Sequence, residues 1–223
     1  DGPMSRGLGD VYKRQIGQVM SQMEFLLALQ PAILQRRYKR FLADVVTSDG
    51  TPLTIHCPNT GSMKNCAQPN SRVWFWDSAN EKRKYACTWE LVEVQHQFLA
   101  CINTQRANGL VVEAINNATI RPLQGYDKLE TEVKYGQENS RIDIFLSQHK
   151  QQPDCYVEVK NVTLMVGQGQ GLFPDAVTQR GSKHLRELVH MVSQGYRAVL
   201  VYCVAHTGIT QVAPAWDLDP TCL

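Results

Sequence analysis

In Tyr156-Val157-Glu158-Val159-Lys160, polar or aromatic residues alternate with valines. In a strand that two-residue period sends Tyr156, Glu158 and Lys160 to one face and both valines to the other. A carboxylate and an ammonium then point the same way. Ser140-Arg141-Ile142-Asp143 supplies a second carboxylate near the start of a strand expected to neighbour the first. Two carboxylates on adjacent strands, with a lysine two residues beyond one of them, suit phosphodiester hydrolysis. Asp143 and Glu158 would hold Mg²⁺ or Mn²⁺ with its waters, and Lys160 would stabilise charge or aim the attacking water. Glu-x-Lys is also common as a plain solvated pair. The nuclease-like reading therefore draws its weight from company. Glu132 lies one strand earlier, and Arg180 and His184 stand at i, i+4 on a helix, with Glu187 one turn further on the same face. The candidate catalytic set is Glu132, Asp143, Glu158, Lys160, Arg180 and His184, the last two expected on the rim. Carboxylates packed this closely resist ionising together unless a cation compensates, which is the physical argument for a metal.

A second constellation is basic. Arg36-Arg37-Tyr38-Lys39-Arg40-Phe41 mixes cations with aromatics, and Lys82-Arg83-Lys84-Tyr85 repeats the idea. Phosphate contacts and base stacking use both kinds of residue, so Arg36, Arg37, Tyr38, Lys39, Arg40, Lys82, Arg83 and Lys84 are candidate DNA contacts. The same residues also serve as charged strand edges that deter aggregation. Nothing spells a recognition helix with a base code, so the binding expected is largely independent of sequence. Val166-Gly167-Gln168-Gly169-Gln170-Gly171 is not a phosphate-binding P-loop, since no Gly-Lys-Ser/Thr follows; it reads as a flexible connection or a flap. No serine-hydrolase, zinc-protease or kinase motif occurs.

These side chains need elements to hold them. Residues 1–22 show neither helical nor strand periodicity and are expected to be a non-native or disordered leader: SRGLGDVYKRQ resembles a translated sequencing adaptor, with Met20 or Met23 as the native start. Residues 23–106 read as one domain of short strands at Tyr38–Val46, Pro52–Cys57, Arg72–Trp76, Tyr85–Glu93 and Gln97–Asn103. Turns fall at Asp49-Gly50 and Pro58-Asn59-Thr60-Gly61. Five strands is the count of an OB-fold barrel. Residues 107–223 change to the order αβββαβ. A first helix carries Leu110, Val111, Ala114 and Ile115. A hairpin turns at Gly136-Gln137-Glu138-Asn139, and a buried strand runs from Cys155 to Leu164. A helix capped by Asp175 runs to about Ser193, with Leu185, Leu188, Val189 and Val192 inward and Gly195 as its stop, before a last strand at Ala198 to Val204. The fold class expected is mixed α/β or α+β, a barrel followed by an αβββαβ domain.

The 223 residues, 43% hydrophobic and 20% charged, fall within the globular range and exclude collagen, coiled coil and wholesale disorder. No apolar run approaches the roughly 18 to 20 residues needed to span a bilayer. Seven cysteines are scattered without metal-binding spacing, which fits reduced thiols in the cytoplasm. The net charge is +2, and the first domain is the more basic half.

Taken together, RYKRFLADV (37 to 45), HCPNTGSM (56 to 63), KRKYACTWELVEV (82 to 94), EVKYG (132 to 136), SRIDIFL (140 to 146), YVEVKNVTL (156 to 164), FPDAVTQRGSKHLREL (173 to 188) and PAWDLDP (214 to 220) resemble the sugar fermentation stimulation protein family, SfsA. The resemblance covers nearly everything from about residue 26 onward. It implies an OB-fold domain followed by a domain similar to PD-(D/E)XK nucleases, and DNA binding with a regulatory role in maltose metabolism. Carried residue by residue, the nuclease-like signature falls on Asp143, Glu158 and Lys160, with Glu132 as the earlier acid and Ile142 where the superfamily name has proline. The family pattern continues past Asp219-Pro220, so the second domain is expected to be truncated. Two functions are weighed: a DNA-binding protein with a retained metal site, and an active Mg²⁺-dependent nuclease. No small-molecule cofactor is inferred, no membrane partner is expected, and the oligomeric state is left open.

Overall fold

The structure is a computed structural model that describes residues 28–177 and 179–217, with Gln179 and Arg180 described in their backbone only. The expected leader and the chain's last six residues lie outside it. The chain divides into two compact units. The first takes the described residues up to Gln105 and is joined again by Val162–Asp175 and Val204–Ala213; the second takes Arg106–Asn161, Ala176–Cys203 and the described residues from Pro214. Sequence alone suggests a single boundary at 106/107. The chain passes to the second unit between Gln105 and Arg106 and then returns to the first twice.

The first unit is built on strands β1 (Gln30–Tyr38), β2 (Leu42–Thr47), β3 (Pro52–His56), β4 (Arg72–Asp77), β5 (Cys87–Val94) and β6 (Phe98–Cys101). Neighbours follow the order β3-β2-β1-β4-β5-β6, and a parallel β3–β5 pairing closes the first five strands into a barrel. This is the five-stranded OB arrangement, but its members differ from those expected. The segment expected as one strand from Tyr38 to Val46 is a turn followed by β2. The true first strand begins at Gln30, and the expected fifth strand is the added β6. The reason is local. Lys39 and Arg40 both take positive φ, 48° and 64°, in a turn with no Gly or Asn to announce it. Leu34, Val45, Ile55, Val73, Phe75, Trp89 and Val92 fill the barrel. The glycine-rich stretch is neither flap nor loose connection. It is the turn between β10 (Leu164–Gly167) and β11 (Gln170–Phe173), in a three-stranded sheet with β13 (Gln211–Pro214). The Gly169 carbonyl accepts the N–H groups of Thr210 and Gln211 at 2.8 and 3.2 Å.

The second unit contains α1 (Gln105–Asn116), β7 (Tyr126–Tyr135), β8 (Ser140–His149), β9 (Cys155–Val162), α2 (Gln179–Ser193) and β12 (Arg197–Val204). The αβββαβ order expected from sequence is present. Its sheet runs β12-β9-β8-β7. Helix α1 buries Ala107, Val111 and Ile115, an i, i+4, i+8 row, against Ile144, Leu146, Val157 and Val159. Leu188 and Met191 of α2 pack with Tyr135, Ile142 and Tyr156.

Helix α2 departs from the expected stripe. Val189 and Val192 are 70% and 53% exposed, while His184, Glu187, Leu188 and Met191 are buried. His184, which the site uses, and Glu187, which holds the hairpin, occupy the inward side, so the apolar stripe is right at Leu188 and wrong at Val189 and Val192. Asp175 does not cap this helix, which starts at Gln179; its carboxylate accepts the Ser62 hydroxyl at 2.7 Å. Gly195 does end it, at φ +88°, with the Tyr196 N–H returning to the Met191 carbonyl as in a Schellman cap.

Candidate functional site

The acidic site grows from a parting of β8 and β9. Their ladder runs Leu146↔Cys155, Phe145↔Tyr156, Ile144↔Val157 and stops. The next inward N–H on β9, that of Val159, goes instead to Oδ2 of Asp143 at 2.7 Å. Oδ1 of the same carboxylate accepts from Nδ2 of Asn108, near the start of α1, at 2.9 Å. Asp143 therefore replaces a rung of backbone hydrogen bonding and is fixed at both oxygens. On β9 the expected alternation holds: Val157 and Val159 join the core under α1, Tyr156 faces the α2 side, and Glu158 is 2% exposed. Lys160 Nζ lies 2.6 Å from Oε1 of Glu158, and Nδ1 of His184 contacts the same oxygen.

The two carboxylates are tuned in opposite directions. Burial raises Asp143 above the ordinary aspartate range and the charge of Glu158 adds to this, outweighing its hydrogen bonds from Val159 and Asn108. Burial would raise Glu158 as well, but His184 and Lys160 together overcome it and hold that carboxyl below the usual glutamate range. Oε2 of Glu158 is buried and makes no hydrogen bond among the described residues. An anionic oxygen left bare in a low-dielectric setting is costly unless something positive or a donor meets it. A divalent cation fits that requirement. Among the described residues no three His, Cys, Asp or Glu side chains stand as a ready cluster around an ion. Two carboxylates suffice for Mg²⁺, which keeps several waters or takes substrate phosphate oxygens for the rest of its shell.

Of the sequence-selected set, Asp143, Glu158, Lys160 and His184 come together. His184 sits inside the site and not on its rim, 8% exposed against Glu158. Glu132 does not join. It lies exposed at an irregularity of β7 between Thr131↔Ile144 and Val133↔Ile142, at φ 56°, and its contribution is a backbone carbonyl accepting from Arg141. The side chain of Arg180 lies outside the described residues. Glu187 serves the hairpin: its carboxylate accepts the N–H groups of Gln137 (3.0 Å) and Glu138. Asn108 and Tyr135 are site groups that sequence reasoning misses. Asn108 carries no sequence signal, because only the fold brings α1 to β8; Tyr135 directly precedes the hairpin glycine, and that placement is the available hint.

The basic residues belong to the barrel. The register Tyr38↔Leu42↔His56↔Thr88↔Trp76 sets the β1–β2 turn and the β4–β5 loop at one end of it. Lys39, Arg40, Lys82 and Lys84 are exposed there. Lys84 also lies over the Tyr85 ring, 5.6 Å from its centroid, and the remaining candidates are engaged more fully. Arg36 pairs with Asp44 at 2.8 Å and lies over the Tyr38 ring, whose hydroxyl also donates to Asp44. Arg37 donates to the carbonyls of Arg40, Asn59 and Gly61 at 2.8 to 2.9 Å. Arg83 reaches Thr88 and the Trp76 ring.

A closed OB barrel followed by an αβββαβ unit with an acid, acid, lysine set is a two-domain build, and comparison with known proteins narrows it. Residues 36–102 match the family described as the SfsA N-terminal OB domain, and residues 105–222 match the sugar fermentation stimulation protein RE domain. The chain belongs to the sugar fermentation stimulation protein family. It is 60% identical over 198 residues to a sugar fermentation stimulation protein homolog of Shewanella baltica, covering 89% of this chain and 84% of that one. A Saccharophagus degradans homolog is 59% identical over the same length and coverage. The solved structure of Pyrococcus furiosus SfsA in complex with Ca²⁺ shares the fold, with TM-score 0.76 and 24% identity over 87% of this chain and 80% of that one.

Proposed function

We propose that this protein binds DNA largely without regard to sequence, through the barrel end that carries Lys39, Arg40, Lys82 and Lys84, and that Asp143 and Glu158 hold Mg²⁺ or Mn²⁺. The observation that carries the reading is the meeting of two basic stretches, some forty residues apart in sequence, on the two loops that flank one end of a five-stranded barrel. Those loops are the ones OB folds use for oligonucleotides, and exposed cations there meet phosphates. For the metal, support comes from the bare Oε2 of Glu158 and from the archaeal relative solved with Ca²⁺, another cation that prefers oxygen ligands. Free thiols at Cys57, Cys66, Cys87, Cys155 and Cys203 suit a reducing compartment, the cytoplasm. No described helix is long and apolar enough to cross a membrane. In the cell this binding would serve regulation of sugar metabolism, maltose use included.

The convergence of Asp143, Glu158 and Lys160 favours a second reading, a metal-dependent nuclease. A bound divalent cation would supply Lewis-acid polarisation of a phosphate oxygen and a water of lowered pKa. Asp143 and Glu158 would hold it, and Lys160, kept in place by Glu158, would offer positive charge to the phosphate. The test is incubation with single- and double-stranded DNA in Mg²⁺, Mn²⁺ or EDTA, read for binding and for cleavage. Binding without cleavage supports the first reading. Cleavage that needs metal and disappears in Glu158→Gln supports the second, and no binding at low salt defeats both.

A further inference from the structure

Tyr135 closes β7 directly before the hairpin and is 7% exposed. Its ring stacks on Tyr156, with centroids 5.3 Å apart and planes at 28°. Its hydroxyl is buried and makes no hydrogen bond among the described residues. Orienting a phenol into the interior without a partner costs free energy that phenylalanine would avoid. The ring lies on Tyr156, two residues before Glu158 on the same face of β9, and packs in one cluster with Leu188, one turn after the His184 that contacts Glu158, so the hydroxyl lies on the side of the sheet that holds Glu158. Burial, then the charges of Glu158, Glu187 and Asp143 in that order, push the phenol well above its usual range, so it stays neutral and can donate. Glu158, the strongest of those charges, has its Oε2 bare, an acceptor without a donor. Ser140, paired with Tyr135 across the hairpin, holds another buried hydroxyl without a partner.

We propose that Tyr135 is a positioning residue of the acidic site: its hydroxyl, through one water molecule that donates to Oε2, fixes the Glu158 carboxylate in the orientation that takes a divalent cation. A buried water needs two to four polar partners, and Tyr135, Glu158 and Ser140 are of the right kinds. Lys160 and His184 already hold Oε1, so without Tyr135 one end of the carboxylate is oriented and the other is not. Groups that orient a metal-binding carboxylate matter to affinity roughly tenfold or more.

The inference rests on the metal reading, and its test separates the two. Mn²⁺ alone is titrated into the whole protein and into Tyr135→Phe and Tyr156→Phe, with bound metal read by electron paramagnetic resonance and melting followed in EDTA. Tyr135→Phe keeps the ring and its stack, so it should melt in EDTA at or above the temperature of the parent, yet bind Mn²⁺ about tenfold more weakly. Tyr156→Phe should bind Mn²⁺ like the parent. Unchanged affinity in Tyr135→Phe overturns the proposal, as does equal weakening in both variants, which would assign the effect to the stack. If the parent protein binds no Mn²⁺, the metal reading itself fails and this one falls with it.

Discussion

The charge of Glu158 reaches Asp143, yet the surroundings of the two carboxylates treat them differently. Glu158 has a lysine and a histidine on one oxygen, whereas Asp143 has a backbone amide and an asparagine, which cannot offset a full charge. The raised carboxyl of Asp143 means that the folded state holds its proton more tightly than the unfolded chain does. The ionised side chain therefore destabilises the fold, increasingly as pH rises from the ordinary aspartate value of 3.8 through the raised one. Asp143→Asn keeps an oxygen for the Val159 N–H and removes the charge. In EDTA at neutral pH it should melt about 2 to 4 °C higher, the size of roughly 1 kcal/mol in a chain of this length, with the gain fading below the ordinary aspartate range. A lower melting temperature at neutral pH would contradict this account. Glu158 runs the other way: its lowered pKa gives stability that is present above 4.5 and lost as acid protonates it. At this scale the alternation that aims Glu158 and Lys160 was legible from the valines between them. The hydrogen-bond partners of Asp143 were not, because a strand that leaves its ladder has no period to read.

The β7–β8 hairpin is where an element depends on one residue type. Gly136 turns at φ +71°, and a Cβ there would sit 1.9 Å from Oε2 of Glu187, the carboxylate that holds the turn's own amides. Substitution would strain the backbone and displace the cap together. Gly136→Ala should cost about 2 to 4 kcal/mol in chemical denaturation, and a loss below about 0.5 kcal/mol would show that the turn can re-form without Glu187. The hairpin was readable because Gly-Gln-Glu-Asn breaks two alternating runs. The inward face of α2 was not: Glu187 and His184 are charged or polar and buried by partners that sequence does not show, while Val189 and Val192 are apolar and exposed. The β1–β2 turn failed for a related reason. Lys39 and Arg40 adopt a conformation that glycine or asparagine would take more cheaply, and those two cations stand at the exposed apex of the turn.

Across the whole molecule, exposed cations gather at one end of the barrel and buried carboxylates gather in the second unit. The five-strand count pointed to the barrel, with β2 to β5 close to their expected places, even though the first strand was missed: closure needs β1 from Gln30 and leaves β6 as an addition. The return of Val162–Asp175 and Val204–Ala213 to the first unit was not legible, because contiguous sequence carries no mark of such a crossing. The division also sorts the basic residues. Arg37 spends its guanidinium on three carbonyls, so Arg37→Ala should lower stability more than it lowers DNA affinity. Lys39, Arg40, Lys82 and Lys84 are the groups left for phosphates. The most direct measurement is therefore DNA affinity against salt concentration for the parent protein and for a variant with all four changed to Ala. The parent should weaken steeply as salt rises. The variant's slope of log K against log salt should flatten by about 0.9 for each phosphate that it no longer neutralises on double-stranded DNA, with its melting temperature kept within a few degrees. A parental slope near zero, or a variant with the parent's slope and affinity, would contradict DNA binding through this end of the barrel.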